Sequence, residues 1–330
     1  MAVLAVASGI GLAVDDRVLA GAPIWFKPFK FSVSFAVYGL SLAWMLSLLE
    51  RHQRAGWWAG TVVAASSLAE MLIITGQVVR GKRSHFNFQT PFDTALFQAM
   101  AVSIVILWSG TVLIAILLLR ARIADRASAW AMRCGIAVSL AGTAVGFLML
   151  RAAPGQQRGS SPVVGGHSVG VPDGGPSMPL TGWSTTGGDL RIPHFVGMHA
   201  LQLIPLLLMG LTALAALPRF DRLADGRVRL RLVLIASGAY TAVFALVTWQ
   251  ALRAQPLLRP DGATLTAAGL ITGITAAAAY GALRIPTSRS TSAVHVPLGD
   301  KADDHADNHS DTHADTHSDA HADTHKELVP

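Results

Sequence analysis

Four stretches of this chain place ionisable side chains where apolar surroundings make them costly, so each is a candidate for chemistry. The first is Glu70, the one acid in the apolar run 57–79. Counting back from Arg80 at ~1.5 Å per residue sets it roughly 15 Å deep, near the middle of a bilayer. An unpaired carboxylate there is expected to keep its proton, because the charged form loses its hydration. A buried protonated acid is what general-acid catalysis or proton transfer needs. The alternative is that Glu70, among small Ser66, Ser67 and Ala69, bonds another helix. Gln77, seven residues on, shares its helical face nearer the surface.

The second stretch is the loop Arg80-Gly81-Lys82-Arg83-Ser84-His85-Phe86-Asn87-Phe88-Gln89-Thr90-Pro91-Phe92-Asp93. Thr90-Pro91-Phe92-Asp93 has the form of a helix start: an N-cap, a proline at the first helical position and an acid three residues in. Asp93 is therefore read first as a cap and second as an acid. His85 and Asn87 have no such structural task in the sequence, and Arg80 and Arg83 beside them suit an anion. The third stretch, 188–202, carries Asp189, Arg191, His194, His199 and Gln202 from a polar loop into an apolar run. Pro193 starts its helix. His199 and Gln202 share a face, and His194 lies about 140° from His199. The alternative is a plain helix start with polar side chains snorkelling into headgroups. His85, His194 and His199, with an acid, form a candidate metal site. As a haem site they are poor, since only His199 is clearly inside a span, about 7 Å deep. The fourth stretch, Trp25-Phe26-Lys27-Pro28-Phe29-Lys30-Phe31, alternates aromatics with lysines. Two lysines suit an anionic headgroup or a diphosphate, and the same pattern also makes an interfacial anchor.

The elements that must position these residues are membrane spans. The chain is 52% hydrophobic and only 14% charged, with mean hydropathy +0.45, whereas a soluble domain is about a quarter charged. Apolar runs at 32–49, 57–79, 95–119, 129–150, 195–217, 232–252 and 265–283 are each long enough to cross roughly 30 Å of hydrocarbon. Segment 1–14 is apolar but lacks a basic start and a convincing cleavage site, so it is not read as a signal peptide, and whether it makes a short first span stays open. The expectation is an all-α polytopic transmembrane bundle of seven to eight spans over 1–284. A flexible polar loop, 154–188, interrupts it, and a disordered His/Asp-rich tail, 285–330, follows. Gly142-Thr143-Ala144-Val145-Gly146 is a close-approach motif inside the bundle. The loop is read as a linker with His167 in solvent.

The formal charge of +6 lies in short loops between apolar runs, a pattern of membrane topology and not of nucleic-acid binding. A small excess of Lys and Arg on the tail side puts the C-terminus in the cytoplasm, with the bundle in the cell membrane. In either orientation Lys27–Lys30, the 80–93 loop and the 189–199 stretch share one face, so a site opens there. Cys134 is the only cysteine, which excludes an intramolecular disulfide. In the tail, His305, His309, His313, His317, His321 and His325 recur every fourth residue. On a helix they would share a face and chelate Zn, Ni or Cu. That is metal gathering, separate from the bundle, and it implies no metal-dependent function.

A small bundle with a midplane acid and one mouth rich in aromatics (Trp25, Phe26, Phe29, Phe31, Phe86, Phe88, Phe92, Trp183, Phe195) resembles the integral-membrane terpene cyclases of fungal and actinobacterial meroterpenoid pathways. The resemblance implies a prenyl or lipid substrate protonated by Glu70, with aromatics sheltering the carbocation and Lys27, Lys30 and Arg83 holding any polar head. This chain departs from the fungal pattern in its second acid: no Asp or Glu lies between Gly226 and Pro260, nor in the last span. Asp93 or Asp189 would have to substitute. The catalytic candidates are Glu70, Asp93, Asp189 and His199. The substrate-binding candidates are Lys27, Lys30, Gln77, Arg83, His85, Asn87, Arg191, His194 and Gln202. Two further classes stay open: a metal or haem redox protein built on His85, His194 and His199, and a transporter or scaffold.

Overall fold

The computed structural model describes residues 1–19, 21–153, 155–157 and 159–285. Residues Met1–Thr287 form one compact unit, and the histidine repeat 305–325 lies outside the described residues. The helices are α1 Ala2–Val14, α2 Phe26–Ser47, α3 Gln53–Val79, α4 Pro91–Arg120, α5 Arg126–Val145, α6 Arg191–Leu214, α7 Gly226–Leu252 and α8 Gly262–Arg284. Short loops join them except between α5 and α6, where a 3-10 turn, Gly146–Leu150, leads into residues 151–190.

Seven of these helices, α2 to α8, are long and apolar enough to cross a membrane, so the chain is a polytopic helical membrane protein. Four of the spans begin on a side-chain cap. Thr90 accepts from the Asp93 amide, Asp125 from Ser128, Asp225 from Arg227 and Asp261 from Thr264. Each cap satisfies an amide left without an intrahelical partner at the first turn.

Of the two span counts the sequence leaves open, the described residues give seven. At 13 residues α1 is about 20 Å long, too short for the hydrocarbon core. It doubles back on α2 through a two-stranded turn, β1 Val18–Leu19 against β2 Ala22–Pro23. Trp25 fixes this hairpin and does not line the mouth. Its ring fills the space left by Gly11, where a Cβ would come within 2.4 Å, and its Nε1 donates to Asp15 at 2.7 Å.

The core runs through α2, α3, α4, α5 and α6, around Met45, Ile114, Leu118, Met132, Ile136 and Leu201. There α5 and α6 touch backbone to backbone: a Cβ on Gly142 would lie 2.4 Å from the Gly197 Cα. Small residues permit this approach, and in lipid such packing is a main source of helix association. The close-approach motif thus packs inside the bundle, with Gly146 against the His194 ring. Helices α7 and α8 lie at the edge and turn most of their surface outward.

The long polar loop is not a solvated linker. Its strand β3, Ser168–Val169, pairs antiparallel with β4, Gly188–Asp189, and Asn87 bridges to Val163. The Phe88 amide donates to the Pro162 carbonyl at 2.9 Å and the Gly166 amide to Met149 at 3.0 Å. Gly188 sits directly on the end of α7, where a Cβ would collide with the Ala251 carbonyl at 2.0 Å. His167, expected in solvent, is instead paired with Asp173 at 3.0 Å and lies edge-on to Phe86 at 5.2 Å. The physical reason is local: the Asp173 carboxylate collects the His167 and Ser168 amides as well as the imidazole, closing a turn on itself.

Candidate functional site

The first turn of α2, the loop after α3, the first turn of α6 and the folded 151–190 segment meet at one end of the bundle. Between them lies a cavity of about 440 Å³. Lys27, Lys30, Arg83, His85 and Arg191 line it, together with His167, Asp173, Thr181 and apolar Leu19, Ile24, Phe26, Met178 and Leu180. Five of the nine substrate-binding candidates are therefore brought together. Lys30 Nζ donates to the Thr181 carbonyl at 3.1 Å and sits 4.2 Å above the Phe26 ring, tying the loop to α2.

Charge in the cavity is unbalanced. Asp173 is occupied by His167; burial opposes its charge, but those hydrogen bonds hold its carboxyl well below the usual range. Asp189 is 1% exposed. Its carboxylate accepts from Arg191 at 2.6 and 3.0 Å and from the Ser184 amide at 2.8 Å. Among the described residues Lys27, Lys30 and Arg83 form no ion pair. A group of unpaired cations in apolar surroundings is an anion site in waiting.

Lys27 Nζ lies 3.0 Å from His85 Nδ1, and Ser84 Oγ is at the same distance. An ammonium only donates, so Nδ1 accepts and a neutral ring carries its proton on Nε2. Burial, then the charges of Lys27 and His167, keep His85 well below the ordinary histidine range. Phe31, Phe86 and Phe97 surround the ring at centroid distances of 6.1, 6.0 and 6.3 Å. Phe97 was not anticipated, because an aromatic inside an apolar span gives no sign of which way it faces. Phe92, placed in the aromatic mouth by the sequence, is 58% exposed and stacks on Arg80 outside the cavity.

Glu70 is 1% exposed on α3. Ser103 Oγ of α4 donates to its Oε1 at 2.5 Å, and Oε2 has no hydrogen-bond partner among the described residues. Glu70 is not among the residues that line the cavity.

Several other candidates have structural tasks. Asp93 is wholly buried and accepts from Gln77 at 2.9 Å, Arg80 at 2.7 Å and Thr90 at 2.8 Å. This one network absorbs Asp93, Gln77 and Arg80; of the loop's two other cations, Arg83 lines the cavity and Lys82 does not. Asn87 shapes the same loop, donating to the Arg83 carbonyl at 2.9 Å and accepting from the Gln89 amide at 3.1 Å. Asp189 is the anchor of Arg191. His194 Nδ1 donates to the Gly142 carbonyl at 2.8 Å, in the α5–α6 contact. Gln202 reaches Ser41 of α2 at 3.2 Å, while His199 lies against Phe195 and outside the cavity.

The histidine metal site is not assembled. No three His, Cys, Asp or Glu side chains among the described residues are placed to share an ion, because His85 faces the mouth and His194 the helix contact. The tail histidines lie outside the described residues. Set against protein-family models, curated proteins and solved structures, the chain matches none.

Proposed function

We propose that this protein binds an amphiphilic anion, a prenyl or lipid compound with a phosphate-like head, and acts on it by acid-initiated chemistry at Glu70. The observation that carries the reading is the convergence of Lys27, Lys30 and Arg83, without acid partners, on a cavity that also has apolar walls. Such a lining suits a molecule that is charged at one end and apolar at the other. Arg191, held in place by Asp189, adds a guanidinium whose NH1 forms no hydrogen bond among the described residues. It can turn that edge to a phosphate.

Glu70 supports the chemical half of the reading. Ser103 orients one oxygen, and the free Oε2 is where a transferable proton belongs. In the proposed step the Oε2–H bond breaks as a substrate alkene carbon takes the proton. The cation left on the neighbouring carbon is quenched when an adjacent C–H gives its proton back to the Glu70 carboxylate, so the acid is regenerated and the net change is an isomerisation. Among the aromatics, Phe26 lines the cavity, while Phe31, Phe86 and Phe97 pack around His85.

The test is ligand-induced thermal stabilisation of the detergent-purified protein. A prenyl diphosphate at a hundred times its dissociation constant should stabilise by about 2.7 kcal/mol, and the prenyl alcohol of equal length should do much less. Equal stabilisation by the alcohol overturns the proposal.

A further inference from the structure

The other end of the bundle holds a second cavity, of about 620 Å³, lying outside everything argued so far. It is bounded by the end of α6, the 3-10 segment Pro218–Ala224, the start of α7 and the end of α8. Its lining joins three arginines, Arg219, Arg222 and Arg284, to apolar Leu211, Leu232 and Leu283. Asp221 is the only acid in that lining, and among the described residues none of the three arginines is ion-paired.

The guanidinium groups are placed by the protein. Arg219 stacks on Phe220 at 4.8 Å and Arg284 on Tyr280 at 4.9 Å. Arg222 NH1 donates to the Leu283 carbonyl, one of the acceptors left over at the end of α8. Stacking holds a guanidinium plane while leaving its edge free for bidentate bonds to phosphate. The site lies where the spans α6, α7 and α8 end, and little of α7 and α8 is buried inside the bundle. A soluble phosphate would use the arginines and leave the leucine wall bare. We infer that this cavity is a binding site for an anionic phospholipid, with its phosphodiester on Arg219, Arg222 and Arg284 and its acyl chains along Leu211, Leu232 and Leu283.

The experiment is native mass spectrometry of the full chain, titrated with phosphatidylglycerol or with phosphatidylcholine of identical acyl chains. Glycerol phosphate is added in a third arm. The expected result is phosphatidylglycerol held about tenfold or more tighter than phosphatidylcholine, with no competition from glycerol phosphate. Arg219→Gln/Arg284→Gln should remove that preference, and Arg120→Gln/Arg122→Gln, exposed arginines outside both cavities, should leave it intact. Arg222 is kept because it also holds the end of α8. Should the glutamine pair fail to fold, Arg219→Lys/Arg284→Lys keeps the charge and loses the stacked fork, and its preference should fall part of the way. Equal retention of the two lipids, an unchanged preference in these variants, or binding of glycerol phosphate as tightly as the lipid would overturn the assignment.

Discussion

Replacing Gly142 by alanine puts a methyl group where two helix backbones already touch. The new carbon would lie 2.4 Å from the Gly197 Cα and 2.6 Å from the Met198 nitrogen. Carbon atoms prefer separations of ~3.5–4.0 Å, so α5 and α6 must part by about 1 Å at that level. The His194 bond to the Gly142 carbonyl, 2.8 Å long, must stretch with them. Overpacking of this kind costs about 1–3 kcal/mol, offset by ~0.5–1 kcal/mol for exchanging glycine for alanine in a helix. A net loss of about 0–2.5 kcal/mol, at ~2–4 °C per kcal/mol, lowers Tm by up to about 10 °C. Tryptophan fluorescence in one fixed detergent reads the transition. Gly210→Ala is the internal control, since a Cβ there meets nothing within 4 Å and the exchange should be neutral or slightly stabilising. Gly146→Ala should fall between, because its Cβ meets only the His194 ring, at 3.2 Å. If Gly142→Ala melts with Gly210→Ala, the backbone contact between α5 and α6 is wrong.

Glu70→Gln keeps the shape and the bond from Ser103, so its stability should stay within about 0.6 kcal/mol of the parent, the mean for an interhelical bond in a membrane. Product formation should drop at least about a hundredfold, the lower range of general-acid contributions, and a folded, fully active variant removes Glu70 from the chemistry. Acidification should destabilise the protein. His85 and His167 titrate below their ordinary value in the folded state, chiefly through burial, so the unfolded chain binds the extra protons. Stability is then full above pH ~6.5 and falls as pH drops from there through the folded values. Tm measured between pH 7.5 and 5 should fall, less steeply in His85→Gln, and a Tm that rises on acidification contradicts the burial of these rings. For topology, Ser84 and Ser184 make poor reporters because they are 5% and 7% exposed. Cysteines at exposed Lys82 and Leu180 in a Cys134→Ser background should both react with an impermeant thiol reagent from one side, and labelling from opposite sides refutes the shared mouth.

Apolar run length carried the spans, because in hydrocarbon a segment either satisfies its own backbone as a helix or does not cross. The run 57–79 ends where α3 ends, at Val79, and misses only the first turn from Gln53, which is helical but polar. Alternation of spans also placed Lys27, Arg83 and Arg191 on one face, and the cavity joins them. Individual roles were less legible. Asp93, Asp189 and His194 look as available in sequence as Glu70 or Arg83, yet their partners are Arg80, Arg191 and the Gly142 carbonyl. Whether a costly polar group is answered by the protein itself depends on tertiary contacts that leave no periodicity. The folded 151–190 segment was hidden for a related reason, since its order rests on Asp173, on Lys30 reaching Thr181 and on strand pairs between distant residues.

The most direct test of the central claim is the equilibrium affinity of a prenyl diphosphate for the parent and for Lys27→Ala/Arg83→Ala, measured at low and high salt. Hydrogen bonds to charged groups are worth about 1.5–3 kcal/mol each, so loss of both cations should weaken binding by about a hundredfold or more at low salt. The gap should narrow as salt screens the parent site. An affinity that is unchanged in the double variant, in a protein that still melts like the parent, contradicts a cationic cavity that recognises the head of an amphiphilic anion.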